Sequence, residues 1–422
     1  MKTMKRQVVI VGAGPGGSSA AFYHAKKGFD VLLLDKESFP REKVCGDAWQ
    51  SSLYPIFHEM GIYDEMEAHV TGDVKHIQLV GPDEDEFLFD VEAAEWTIPR
   101  RIGDDIVRRA ALKAGADWME GFEATELVLR HGTVTGVKGI YNNEEMQINA
   151  DIVIVANGSH SMLARQVGIF NNDPDKVMVA MRGYWTGLEG MVDGTCAWIY
   201  DPDFMPVVDQ ELYEKNYFMP GWCACYRNES TASIGFGISE SLLRAHGMSL
   251  EEYFNYWLKN SRFAKEHLSH AKCVDGMKGW RLPTMDRIQK NYINGAMFLG
   301  DTASNPDPCY YYGISPAMWG GKISADVTEK AFKTGDFSEN TLKELHEKMS
   351  GLYDDQWAQY AMIRSNIVGV RQNSIDLINY AKTLTPDEDG KVYFGATFSN
   401  YMQQVLKKNA SMAFGTHFKN ET

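Results

Sequence analysis

Gln7-Val8-Val9-Ile10-Val11-Gly12-Ala13-Gly14-Pro15-Gly16-Gly17 carries four β-branched residues straight into a Gly-x-Gly-x-x-Gly turn, and Ser18-Ser19-Ala20-Ala21 opens a helix behind it. A second apolar run, Val31-Leu32-Leu33-Leu34, ends at Asp35. Each part of this strand–turn–helix–strand unit has a physical task. Gly12 permits the tight turn, Gly14 lets backbone approach a pyrophosphate, and Gly17 lets helix and strand pack closely. Gly16 lies in the same turn, whose helix N-terminus offers unpaired N–H groups and partial positive charge to phosphates. Asp35 is placed to accept hydrogen bonds from a ribose. The unit predicts a dinucleotide site; a close-packed turn without ligand is the alternative.

Working outward, 422 residues and 47.5 kDa exceed one compact core, so two or three domains are expected. The net charge of −15 argues against nucleic acid, since no lysine or arginine excess exists to neutralise phosphates. Ten Trp, twenty Tyr and twenty Phe suit cores and also a pocket for a large apolar or conjugated ligand. No apolar stretch approaches the roughly 20 residues of a membrane span, and a cytoplasmic location is expected. The six cysteines show no disulfide or metal spacing. Cys223 and Cys225 share a strand face, as packing residues do. His267, His270 and Cys273 fall three apart but lack a fourth ligand, so no metal is expected.

After Asp35 a charged loop containing Lys36, Pro40 and Arg41 ends in Cys45-Gly46. Cys45 is either a small buried residue beside a turn or a thiol near the ligand, because loops after strand ends bind ligands in open α/β sheets. Residues 51–70 read as helical, and 73–99 as strands and turns. Arg100 and Arg101 open a helix with Asp104 and Asp105 in its first turn and Ile106, Ala110 and Ala111 on an apolar face. A hairpin over 125–140 turns at His131-Gly132. Ala150–Val155 is a third buried strand that returns to the parallel sheet. Residues 177–276 alternate at period two and predict an antiparallel sheet. There Trp222, Ala224 and Tyr226 share one face, opposite a return strand whose Ser233, Gly235 and Gly237 leave room for a ligand or a helix. Ala296–Asp301 is a strand ending in Gly300-Asp301, and Gly313 opens a helix with small residues at Ala317, Gly320, Gly321 and Ala325. Ser338 caps further helices in which Leu342, Leu345, Met349 and Leu352 line one face.

Together the glycine turn, the Gly300-Asp301 strand end with its Gly313 helix, and the intervening antiparallel sheet resemble the FAD-dependent group A monooxygenase-like flavoproteins. That superfamily includes aromatic hydroxylases, halogenases and geranylgeranyl reductases. The resemblance spans about residues 1–330. It implies an α/β Rossmann-like FAD domain over 1–72, 100–168 and 277–330, and a substrate-binding β-sheet domain over 73–99 and 169–276. A helical region over 331–422 follows. By position, Asp301 would hydrogen-bond the ribityl or pyrophosphate part of FAD, and Gly313 and Ile314 would point a helix at the isoalloxazine. Arg101, with Asp105, matches the superfamily's Arg-x-x-x-Asp helix start near the flavin, and Ala124 would lie near the adenine. Lys36, Arg41 and Gly46 join the cofactor contacts.

The match is best with the geranylgeranyl reductase family, whose Lys-x-Cys-Gly element resembles Lys43-Val44-Cys45-Gly46; halogenases place Gly-Glu-Ser there. The family's aromatic-x-Trp-x-Phe-Pro strand appears with Ala224 for Trp and Arg227 for Pro. Its Pro-x-x-Gly-x-Gly-Ile appears as Pro308-Cys309-Tyr310-Tyr311-Tyr312-Gly313-Ile314, with Tyr311 in the first glycine position, and its Asp-Gly turn as Asn157-Gly158. The resemblance implies an FAD-dependent oxidoreductase that reduces, or in reverse desaturates, a carbon–carbon bond of a large hydrophobic or aromatic small molecule. Cys45 is the candidate acid or substrate contact, with Tyr311, Tyr312, Trp222 and Tyr226 on the substrate side. With one nucleotide fingerprint, NAD(P)H would serve only as a transient donor. Peripheral contact with a membrane stays open, and so does oligomeric state. The rival readings are an O2-dependent hydroxylase or halogenase and a flavin protein without turnover.

Overall fold

A computed structural model of the chain describes residues 2–83, 85–170, 173–199, 218–225, 231–368, 370–395 and 397–405. The chain divides into two compact units. One comprises Met1–Thr71, Trp96–Val179 and Trp280–Tyr360; the other comprises Gly72–Glu95, Ala180–Gly279 and Ala361–Thr422. Residues beyond 330 thus fall in both.

The first unit is built on a sheet with strand order Tyr292–Ile293, Ala296–Phe298, Glu144–Val155, Lys2–Val11, Val31–Asp35, Asp117–Glu120. All neighbours along this path are parallel except the first two. The continuous apolar runs are explained by burial on both faces. Val8, Ile10, Leu33, Ile152 and Ile154 join one core, while Val9, Val11, Leu32, Leu34, Val153 and Val155 join the other. Burying each such side chain stabilises the fold by about 1.5–3 kcal/mol. The predicted hairpin extends this sheet as Glu123–Arg130 and Thr133–Tyr141, antiparallel to Glu144–Val155. His131 (φ 50°) and Gly132 (φ 77°) make its turn.

Helix Pro15–Lys26 packs on helix Ile314–Thr334, and this contact explains the small residues of both. A Cβ on Gly321 would meet Ala20 N at 2.6 Å and Gly16 O at 2.7 Å. One on Gly16 would lie 3.1 Å from Ala317 Cβ. His24 fastens the pair: its ring nitrogens lie 2.7 Å from Ala20 O and 2.9 Å from Thr328 Oγ1. Burial pulls this imidazole down to about 4, so it is neutral at physiological pH. In helix Glu344–Ile363, Leu345, Met349, Tyr353 and Trp357 are buried. Leu352, expected on that face, is exposed at 54%, because the stripe runs one residue later at Tyr353.

The second unit holds a sheet in which Lys272–Cys273, Val177–Thr186, Thr231–Ser239, Phe218–Cys225, Thr195–Ile199, Gly72–Val80 and Glu86–Thr97 are successive neighbours. It carries the predicted antiparallel pairs, with Thr195–Ile199 and Gly72–Val80 running parallel. Trp222 is the register partner of Gly235, and Met219 of Gly237. Ser249 closes a capping box on helix Leu250–Asn260. His267 is buried against Phe263 with Nδ1 2.8 Å from Glu189 O, a packing role. Among the described residues no helix is long and apolar enough to cross a membrane.

Candidate functional site: a dinucleotide turn, a cysteine loop and a tyrosine loop

The glycine turn has the geometry its sequence predicts. Gly12 takes φ +100° with Ala156 O only 2.4 Å from where a Cβ would sit, and a Cβ on Gly17 would lie 1.8 Å from Gly12 O. Around Gly14 the space is open: the nearest atom to its would-be Cβ is Arg41 Nη2, at 3.5 Å. Gly16, expected to serve the cofactor, packs its would-be Cβ position against helix Ile314–Thr334, 3.1 Å from Ala317 Cβ. Helix Pro15–Lys26 begins without a side-chain cap and without an acidic residue in its first turn, so no side chain of that turn offsets its first N–H groups and dipole. Asp35 buttresses the turn by accepting Ala13 N–H at 2.7 Å and Glu37 N–H at 2.9 Å. Lys36 is exposed beside it. Ala124 lies four residues beyond Glu120, the register partner of Asp35.

The cysteine loop is tied to helix Arg100–Lys113. Asp47 is fully buried with φ 63°, and its carboxylate accepts Arg100 N–H at 3.2 Å, capping the helix from a distant loop. The helix presses on Trp49, whose ring would be 2.3 Å from a Cβ at Gly103. Arg100 is buried and forks onto Asp104, with Nε–Oδ1 2.6 Å and Nη2–Oδ2 2.9 Å, and it also donates to the Cys45 thiol. Burial opposes the Arg100 charge, but Asp104 and Cys45 outweigh it and hold the guanidinium protonated.

The expected Arg101–Asp105 pair is therefore displaced by one residue. Arg101 is exposed, and Asp105 bonds Arg108 and Arg109. The reason is helical phase: Arg100, Asp104, Val107 and Ala111 form one buried stripe, and Arg101 faces away from it. The spacing 111, 107, 104, 100 was present in the sequence and singles out the first arginine.

Lys43, in the same loop, carries no sequence signal that marks it for a role. Its Nζ sits 3.9 Å from the Trp280 ring centroid and 3.2 Å from Val44 O. Burial pulls its ammonium down to about 8; Asp301 and Cys45 favour the charge, while Arg100 and Arg41 oppose it.

The third element follows Gly300-Asp301. Thr302 Oγ1 accepts Gly158 N–H at 2.9 Å, joining this strand end to the Asn157-Gly158 turn. A Cβ at Gly313 would stand 3.1 Å from Asp301 Oδ1, so the carboxylate lies at the start of helix Ile314–Thr334. That helix too has no side-chain cap and no acid in its first turn. Ile314 is buried.

The connecting loop is organised by Asp307, which sequence reading missed because its partners are backbone amides. Its carboxylate accepts N–H from Cys309 at 2.9 Å, Tyr310 at 2.6 Å and Tyr312 at 2.7 Å. Burial nevertheless pushes this acid up to about 6. Tyr311 takes φ 63°, a conformation natural to glycine and costly for a bulky residue. Tyr310 stands edge-on to Tyr360 at 4.9 Å and tilted to Tyr312 at 6.3 Å. Trp357 stacks on Tyr360 and contacts Tyr353, so the loop opens onto an aromatic wall.

A flavin dinucleotide suits what is present. Two helix N-termini lack caps and acids. Arg41 Nη1 is buried without a hydrogen bond, although it lies 3.1 Å from Asp104, and Asn157 Oδ1 and both amide atoms of Asn305 are likewise unsatisfied. One unit thus holds Gly12, Gly14, Gly17, Asp35, Arg41, Cys45, Gly46, Asp301, Gly313, Tyr311 and Tyr312. Trp222 lies in the other unit with its side chain undescribed, and Tyr226 is outside the described residues.

Comparison with known proteins agrees. Residues 5–202 match the FAD binding domain family. A digeranylgeranylglycerophospholipid reductase of Methanocaldococcus jannaschii is 27% identical over 409 residues, covering 96% of each chain. One from Methanosarcina acetivorans is 29% identical over 81% of this chain and 79% of its own. Among solved structures, a geranylgeranyl bacteriochlorophyll reductase-like protein from Thermoplasma acidophilum superposes with TM-score 0.81 at 19% identity, covering 97% of this chain and 99% of its own. A flavin-dependent brominase gives 0.71 at 20%, covering 96% of this chain and 100% of its own. Glycine turn, cysteine loop and domain match converge: this chain is an FAD-dependent oxidoreductase that carries an FAD binding domain and is similar to the digeranylgeranylglycerophospholipid reductases.

Proposed function

We propose that the enzyme reduces, or in reverse desaturates, a carbon–carbon bond in a large hydrophobic isoprenoid-like substrate. The observation that carries this is the half-buried Lys43–Gly46 stretch ahead of buried Asp47, where the Cys45 thiol held by Arg100 lies near the Lys43 ammonium, which is drawn down to about 8. When bound and reduced, FAD supplies the hydride. The protein's share is to hold the cofactor, exclude water and deliver a proton. Gly12, Gly14, Gly17 and Arg41 would hold the pyrophosphate, Asp35 and Ala124 the adenosine end, and Asp301, Gly313 and Ile314 the flavin end. Arg100, rather than Arg101, would lie near the flavin. Cys45 is the proposed proton donor, with Lys43 holding a replacement proton near neutral pH. The aromatic wall around Tyr310–Tyr312 favours an apolar chain over a polar ring, and Trp222 and Tyr226 stay with the substrate by resemblance alone. NAD(P)H or another transient donor would reduce the flavin.

The test is anaerobic turnover with chemically reduced enzyme and a polyprenylated glycerolipid. A product heavier by two hydrogens, formed without O2, is expected. A hydroxylase or halogenase reading draws on a brominase from Pseudoalteromonas luteoviolacea, 25% identical over 78% of this chain and 79% of its own. Product that forms only when O2 is admitted would establish that reading instead.

A further inference from the structure

We propose that Asp104 is a positioning residue that couples the pyrophosphate side of the cofactor site to the Cys45 thiol through one shared carboxylate. The proposal rests on the reading that FAD occupies the glycine turn with Cys45 toward its flavin end. Asp104 is buried, at 1% exposure, on the inner face of helix Arg100–Lys113. Its Oδ1 takes Arg100 Nε at 2.6 Å. Its Oδ2 is shared between Arg100 Nη2 at 2.9 Å and Arg41 Nη1 at 3.1 Å. The two guanidiniums then part company. Arg41 reaches toward Gly14, 3.5 Å from the would-be Cβ, and Arg100 donates to Cys45.

Asp104 thus answers two cations at once, while the buried Asp47 carboxylate is engaged by the Arg100 backbone N–H, and an anionic group such as a phosphate suits the Arg41 end. Because the anion is shared, whatever occupies Arg41 alters how fully Asp104 neutralises Arg100. Removing Arg41 gives Asp104 wholly to Arg100, so the field at Cys45 becomes less positive. Removing the Asp104 charge does the opposite. Arg41 thus acts on the thiol without touching it.

The readout is the ratio of Cys45 alkylation rates with iodoacetate and iodoacetamide on FAD-loaded protein, with Cys45 resolved by peptide mass. A change in access moves both reagents together; a change in local charge moves the anionic reagent selectively. Arg41→Met is expected to lower the ratio several-fold and Asp104→Asn to raise it, with FAD affinity weakened in both. Asp104→Glu should restore the ratio in part, and Arg41→Met should lose its effect in the Asp104→Asn background. An unchanged ratio in Arg41→Met, or an effect that persists in the double variant, overturns the proposal. If Asp104→Asn does not fold, the partly exposed Arg41 still decides. None of these readouts needs turnover, so they stand or fall separately from the substrate assignment.

Discussion

Two turns in this protein deliver the chain to an uncapped helix N-terminus, and they are built in opposite ways. At Gly12–Gly17 the special backbone conformation is given to glycine, side chains are removed, and the space at Gly14 is left open. At Asp307–Gly313 a tyrosine takes the positive φ, and a buried carboxylate gathers the backbone amides that hold it there. The first turn suits a ligand recognised by its phosphates. The second keeps a large side chain at a conformational cost, which makes sense where shape at the reacting end decides the substrate. On the proposed function, the difference separates a generic, cofactor-holding end of the site from a specialised one.

Substitutions can break that contrast. Gly17→Ala drives a methyl into Gly12 O and should abolish flavin binding, read as flavin content after purification. Gly14→Ala has room in the fold, so it should preserve the melting temperature while weakening FAD; equal damage to both would show that Gly14 serves packing. Next in size is the arginine register. Arg100→Met leaves Asp104 without its forked partner and should cost about 3–5 kcal/mol, whereas exposed Arg101→Met should stay within about 0.5 kcal/mol in chemical denaturation.

Asp307 gives the pH test of the tyrosine loop. Its folded value, about 6, lies above the usual carboxylate 3.8, so its contribution is fully present below pH 3.8 and is lost as pH rises through 6. Wild-type stability relative to Asp307→Asn should fall by about 3 kcal/mol across that window, measured by denaturant midpoints; a flat difference would mean that the carboxylate is well solvated. A small net effect on stability is expected for Tyr311→Gly. Relief of about 1–2 kcal/mol of left-handed strain is offset in part by glycine's roughly 0.5–1 kcal/mol greater freedom when unfolded. Stability should barely change while KM for bulky substrates shifts; a change in flavin affinity instead would place Tyr311 at the generic end.

Legibility in the sequence follows the same division. The glycine turn could be read because each glycine answers a local steric demand and strand, helix and acid stand in register around it. Arg100 was missed because two arginines and two aspartates share one spacing, and only the phase of the buried stripe separates them. Asp307 and Asp47 were invisible because they bond backbone in loops, which leaves no periodic trace. Small residues near Gly321 were legible as close packing, but their partner, the first helix, is a fact of topology.

The most direct test of the whole account mixes reduced enzyme with a polyprenylated glycerolipid under strictly anaerobic conditions and follows flavin absorbance through a single turnover. The account predicts that the lipid alone reoxidises the flavin, at a rate that depends on Cys45 and Tyr311. A flavin that stays reduced until O2 is added, with product appearing only then, would contradict it.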